Sequence, residues 1–201
     1  MRDWRGWAHE RFWREKEDLL TDVSSRVTAV TAKAQGISLG AGCRFYGLPR
    51  LRKAAGSRIE IGEKCLFRSG RWSNLIGLDR PCMISTLSGG ARVLIGDRSG
   101  FSGTVIAAYK EIVIGSDVLC GANVTISDFD SHGVDPNDRR PPGAIAPVVI
   151  EDNVWLGLGV IVLKGVRIGR DSLIGAGSVV ASSIPSGVIA AWCPATVLRE
   201  L

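Results

Sequence analysis

The last third of the chain repeats an aliphatic position every six residues. From Ile150 the hexads read IEDNVW, LGLGVI, VLKGVR, IGRDSL, IGAGSV and VASSIP. Their first positions are Ile150, Leu156, Val162, Ile168, Ile174 and Val180. Their fifth positions, Val154, Val160, Val166, Ser172, Ser178 and Ile184, are small or aliphatic. Neither a helical period of about 3.6 nor a two-residue alternation keeps that register. The beat surfaces upstream at Leu39 and Phe45, and at Ile61 and Phe67. It returns at Ile95 and Phe101 with Ser99 and Val105, and at Ala108, Ile114, Cys120 and Ile126 with Val118 and Val124. Between these islands the register slips, so short insertions must bulge outward.

Six residues supply one short strand and one turn. Three such units close a triangular coil, and coils stack at about the 4.8 Å strand spacing. First-position side chains then point inward onto their copies one coil away. The predicted fold is mainly β: a parallel β-helix over residues 37–191, an N-terminal α-helix within 1–36, and a tail at 192–201. A coil edge left open needs a cap. Over residues 2–34, Trp13, Leu20, Val23, Val27 and Val30 form an a/d-like helical stripe. One reading is a packing helix that caps the first coil or joins a trimer. The other is a membrane-surface helix, because Arg and Trp suit an interface. Seven Lys/Arg and six Asp/Glu over residues 1–33 make the polar face mixed.

Composition adds constraints. The 25 glycines suit many tight turns. No apolar run of about 18 residues suggests a membrane span, and the charged N-terminus does not resemble a secretory signal. The five cysteines contain no CxxC pair, so neither a disulfide framework nor a metal site is expected, and a cytoplasmic setting is the default. Residues 44–80 hold nine Arg/Lys against three acids. That excess suits an acidic glycan or a lipid-linked acceptor, at the inner face of the membrane, or simply a solvated surface. No nucleic-acid-binding motif accompanies it.

The beat breaks at residues 127–147, SDFDSHGVDPNDRRPPGAIAP, where Pro, Asp, Asn and Gly density predicts a loop excursion. It contains His132, one of two histidines in the chain. An imidazole titrates near neutrality and suits proton removal from an attacking hydroxyl. Asp128 or Asp130 could orient that ring, or simply form turns.

IGSDVLCGANVTISDFDSHGVDP, the hexads from Pro147 and CPATVLREL together resemble the hexapeptide-repeat acyltransferases, such as galactoside, maltose and polysaccharide O-acetyltransferases. The resemblance implies a left-handed β-helix. It also implies acetyl transfer from acetyl-CoA to a hydroxyl within a ternary complex, and homotrimers with the active site between subunits. It puts the general base on His132, with Asp130 and Asp128 beside it. It puts the cofactor along Trp155, Gly157, Gly175, Ala176 and Arg199. Ser182 stands where relatives carry a Lys-containing run, and Lys164 is a candidate to compensate. Ser102 stands where relatives carry an acceptor-binding Asn, and Asn123 and Arg139 complete the expected acceptor contacts. The alternatives are N-acetylation of an amino sugar and a non-catalytic scaffold. A β-helical carbonic anhydrase would need three histidines on zinc, which two cannot supply.

Overall fold

A computed structural model describes residues 3–201; the predicted helix start at residue 2 lies outside them. Three parallel sheets form a three-faced prism, left-handed in its coiling. The first sheet runs through Ser38–Leu39, Arg58–Ile61, Arg92–Ile95, Glu111–Ile114, Val148–Ile150 and Arg167–Ile168. The second runs through Arg44–Tyr46, Leu66–Arg68, Gly100–Ser102, Leu119–Ala122, Trp155–Leu156, Leu173–Ile174 and Val188–Ala191. The third runs through Arg50–Arg52, Met83–Thr86, Val105–Ala108, Thr125–Ser127, Ile161–Val162 and Val179–Val180.

The predicted inward positions form three ladders. Ile61, Ile95, Ile114, Ile150 and Ile168 stack in register on the first face. Phe67, Phe101, Cys120, Leu156 and Ile174 do so on the second. Ile84, Ile106, Ile126, Val162 and Val180 do so on the third. Each such burial contributes about 1.5–3 kcal/mol. Phe45, Phe67 and Phe101 stack nearly parallel with centroids 4.9 Å apart, because the strand spacing dictates the ring spacing. Burial raises the Cys82 and Cys120 thiols above their ordinary range, which makes them packing groups rather than nucleophiles.

Three expectations change here. Phe101 and Ile106 are five apart, so Thr104 takes the buried fifth position and Val105 faces outward. Ala108 is buried as the last residue of the third-sheet strand Val105–Ala108, paired with Thr86 and two residues past the ladder residue Ile106. The expected tail contains a strand, Thr196–Glu200, that turns back antiparallel onto Val188–Ala191 and covers the last parallel edge of the second sheet.

The helix spans Trp4–Ala34, with the Asp3 carboxylate accepting from the Gly6 N–H at its start. It packs on the first coil, but through a stripe about 110° around the helix from the predicted one. Thr21, Ser24, Thr28 and Ala32 are buried, whereas Val23, Val27 and Val30 are exposed. The reason is the surface being covered. A strand edge carries unpaired N–H groups, and Ser25 Oγ accepts from the Phe45 N–H at 3.0 Å. Thr21, Ser24 and Ser25 donate their own hydroxyls to carbonyls four residues back, at 2.7 Å. That satisfies them and leaves a small, close-packing face. No described helix is long and apolar enough to cross a membrane.

Candidate active site

The excursion leaves the third sheet after Ser127 and returns to the first at Val148. It is a two-limbed arm rather than an irregular loop. Asp130 and Gly143 exchange N–H and carbonyl bonds with the opposite limb, Phe129 pairs with Ile145, and Gly133 N–H reaches the Pro141 carbonyl. Phe129 packs on Tyr109 at its base.

His132 is exposed on this arm. Its Nδ1 lies 3.0 Å from the Arg139 carbonyl oxygen. A carbonyl oxygen can only accept, so Nδ1 carries a hydrogen, and in the neutral ring the lone pair is on Nε2. The ring is therefore held by a backbone carbonyl. Gly143 permits this geometry, since a Cβ there would lie 2.6 Å from the His132 carbonyl oxygen.

Neither aspartate orients the ring. Asp128 is buried, and its carboxylate accepts from the N–H groups of Tyr109, Lys110 and Glu111 at 2.6–2.7 Å. Its role is to satisfy a corner of the preceding coil, where three successive N–H groups face inward. Asp130 pairs with Lys164 at 2.8 Å. That pairing places Lys164 at the foot of the excursion, tying it to the next coil, instead of leaving it free for a phosphate. Arg139 contributes its carbonyl, and its side chain is exposed.

The other candidates lie elsewhere on the prism. Ser102, Asn123, Gly157, Gly175 and Ala176 lie at the corner between the second and third sheets. Trp155 stands half-exposed on the second face, and Arg199 lies on the C-terminal strand three strands further along the same sheet. Ser182 follows the third-sheet strand Val179–Val180, so it shares the excursion's corner two coils on. Gly157 is required by packing, because a Cβ would sit 2.7 Å from the Ala176 nitrogen. Asn123 occupies a left-handed turn at φ 63°. Its amide is held by the Asp79 N–H and the Gly77 carbonyl, so it braces a loop rather than offering itself to an acceptor.

That loop, residues 70–82, is a second outward excursion that the hexad pattern did not single out. Arg80 holds it by donating to the Asn123 carbonyl at 2.9 Å and the Thr125 hydroxyl at 2.7 Å. Arg68 donates to the Ser73 carbonyl at 2.7 Å. Two of the nine cations in the basic stretch are thus internal braces. The third face separates the Ser102–Gly157–Ala176 corner from His132, so the candidate residues of one chain fall on two edges.

Comparison with known proteins places this geometry in context. Residues 147–182 match the family model described as bacterial transferase hexapeptide (six repeats). The chain is 36% identical over 197 residues to a galactoside O-acetyltransferase of Lactococcus lactis subsp. lactis (strain IL1403), covering 96% of this chain and 81% of that protein. It is 39% identical over 104 residues to the galactoside O-acetyltransferase of Escherichia coli (strain K12), covering 51% of this chain and 50% of that one. Among solved structures, a maltose O-acetyltransferase from Clostridium difficile 630 superposes with a TM-score of 0.52 at 26% identity, over 82% of this chain and 69% of that chain. The N-acyltransferase AntD from Bacillus cereus shares the fold, with a TM-score of 0.65 at 17% identity, over 86% of this chain and 88% of that chain.

Proposed function

This chain belongs to the hexapeptide-repeat acetyltransferases, and we propose that it transfers acetyl from acetyl-CoA to a hydroxyl of a sugar or polysaccharide intermediate, with His132 as general base. The observation that carries this reading is the Nδ1 contact to the Arg139 carbonyl, which leaves Nε2 as the acceptor. His132 takes the hydroxyl proton as the oxygen attacks the thioester carbonyl. It returns that proton to the departing coenzyme A thiolate, so the proton count balances and no covalent enzyme intermediate is needed. A backbone N–H or a hydroxyl is the simplest donor to the oxyanion. The Ser102 hydroxyl is a candidate acceptor contact, as it makes no hydrogen bond within the described residues other than through its backbone.

Candidate residues on two edges support an assembly in which a neighbouring subunit completes the site, as a homotrimer does around a threefold axis. Trp155, the exposed corner at Ala176, and Arg199 would line acetyl-CoA. Trp155 offers a flat apolar surface and Arg199 a cation for phosphate. The decisive experiment is free-thiol release from acetyl-CoA with a panel of sugars and amino sugars. His132→Ala should cut turnover by about 100-fold or more. A rate within a few-fold of wild type would remove the base assignment, and preference for an amino sugar would shift the reading to N-acetylation.

A further inference from the structure

The face of the N-terminal helix that points away from the β-helix is both apolar and selectively charged. At about 100° per residue, Phe12, Leu19, Val23, Val27 and Val30 fall within one arc about 100° wide. Phe12, Leu19 and Val30 are 61%, 65% and 69% exposed. Arg5, Lys16 and Arg26 lie in the same arc, and all three are exposed. None of them enters an ion pair among the described residues. The acids Asp3, Glu10, Glu15, Glu17, Asp18 and Asp22 all fall outside it. Glu10, Glu15 and Asp18 are occupied by Arg14, Arg11 and Arg44. The mixed count along the sequence therefore separates by side once the helix is docked.

Docking through Thr21, Ser24, Thr28 and Ala32 makes this arc the outer surface of one end of the molecule. On the helix flank toward the β-helix, Trp72 and Leu75 of the 70–82 loop line a groove with His9, Glu10, Trp13 and Glu17, and the side chains of Leu75 and Ile76 are exposed. Lys16 lies over the Trp13 ring at 4.4 Å, an aromatic–cation pairing suited to a water–lipid boundary. On the first coil, Arg50 and Arg52 are exposed at the same end.

We propose that this face is a docking surface for an anionic lipid bilayer, with the apolar residues entering the headgroup boundary and Arg5, Lys16 and Arg26 meeting the lipid charge. Charge decides between this occupant and a second copy of the chain. A face with cations and no acid opposes its own copy and complements an anionic surface. The proposal stands independently of the acceptor's identity.

The test is co-sedimentation of the full chain with vesicles of phosphatidylcholine alone and of equal parts phosphatidylcholine and phosphatidylglycerol. Binding is expected only to the second, falling as salt rises. Replacing Arg5, Lys16 and Arg26 by Ala should weaken it by about fivefold per side chain. Val23→Glu with Val30→Glu should abolish it while the melting temperature holds, since both residues are exposed. Absent or equal binding to the two vesicle types would overturn the proposal, as would binding that survives both sets of changes. A fall in assembly mass by light scattering in the Val23→Glu, Val30→Glu protein would assign the face to a second copy instead.

Discussion

Asp128 and His132 sit four residues apart and do different work. In sequence they read as orienter and base. In the structure the carboxylate is turned inward on three N–H groups, and the imidazole is held by a backbone carbonyl. Asp128→Ala strands those buried donors, and unsatisfied groups cost about 1–3 kcal/mol each before relaxation. The expected loss of stability is about 3 kcal/mol, read from denaturant unfolding. Asp128→Asn should recover part of it, because one amide oxygen still accepts. An unchanged midpoint in Asp128→Ala would return the residue to the catalytic hypothesis.

At the scale of elements, the stacked phenylalanines hold the first coils together. Phe67 lies between Phe45 and Phe101, each 4.9 Å away, and is fully buried. Phe67→Ala opens a cavity in the middle of that stack, with an expected cost of about 3–5 kcal/mol. Calorimetry should show the loss as a lower melting temperature; a shift no larger than a surface substitution gives would mean that the coils re-pack. The helix teaches a complementary lesson. Its valine stripe has the stronger periodic signal, yet its hydroxyl stripe is buried. A strand edge wants small side chains and hydrogen-bond acceptors, and Ser25 supplies one directly. Hydrophobic spacing alone reports that a face is apolar, not which partner is available to it.

For the whole molecule, the consequential fact is that the two edges of the third face carry different halves of the proposed site. His132 is on one, and Ser102, Gly157 and Ala176 are on the other. If neighbours complete each other, two damaged chains should rescue activity when mixed. His132→Ala and Ala176→Glu would each be weak alone. Co-assembled in equal amounts, they should regain about a quarter of wild-type activity, because a site then draws one intact edge from each chain at random. Thiol release measured on the mixed assembly checks this. No gain above the separate variants would mean that each chain holds its own complete site.

The six-residue aliphatic beat was enough by itself to determine the β-helix and its inward ladders, because a side chain that stacks on its own copy imposes a period visible in one dimension. The interruption at 127–147 and its histidine were legible for the same reason: a break in a strict period stands out. The sequence could not show that a carbonyl at Arg139 orients His132, since a backbone acceptor leaves no side-chain signature. Nor could it show that Asp128 faces inward, that Lys164 pairs with Asp130, or which side of the helix meets the body. Those depend on which groups the closed coil brings within hydrogen-bond reach, and only the tertiary structure decides that distance.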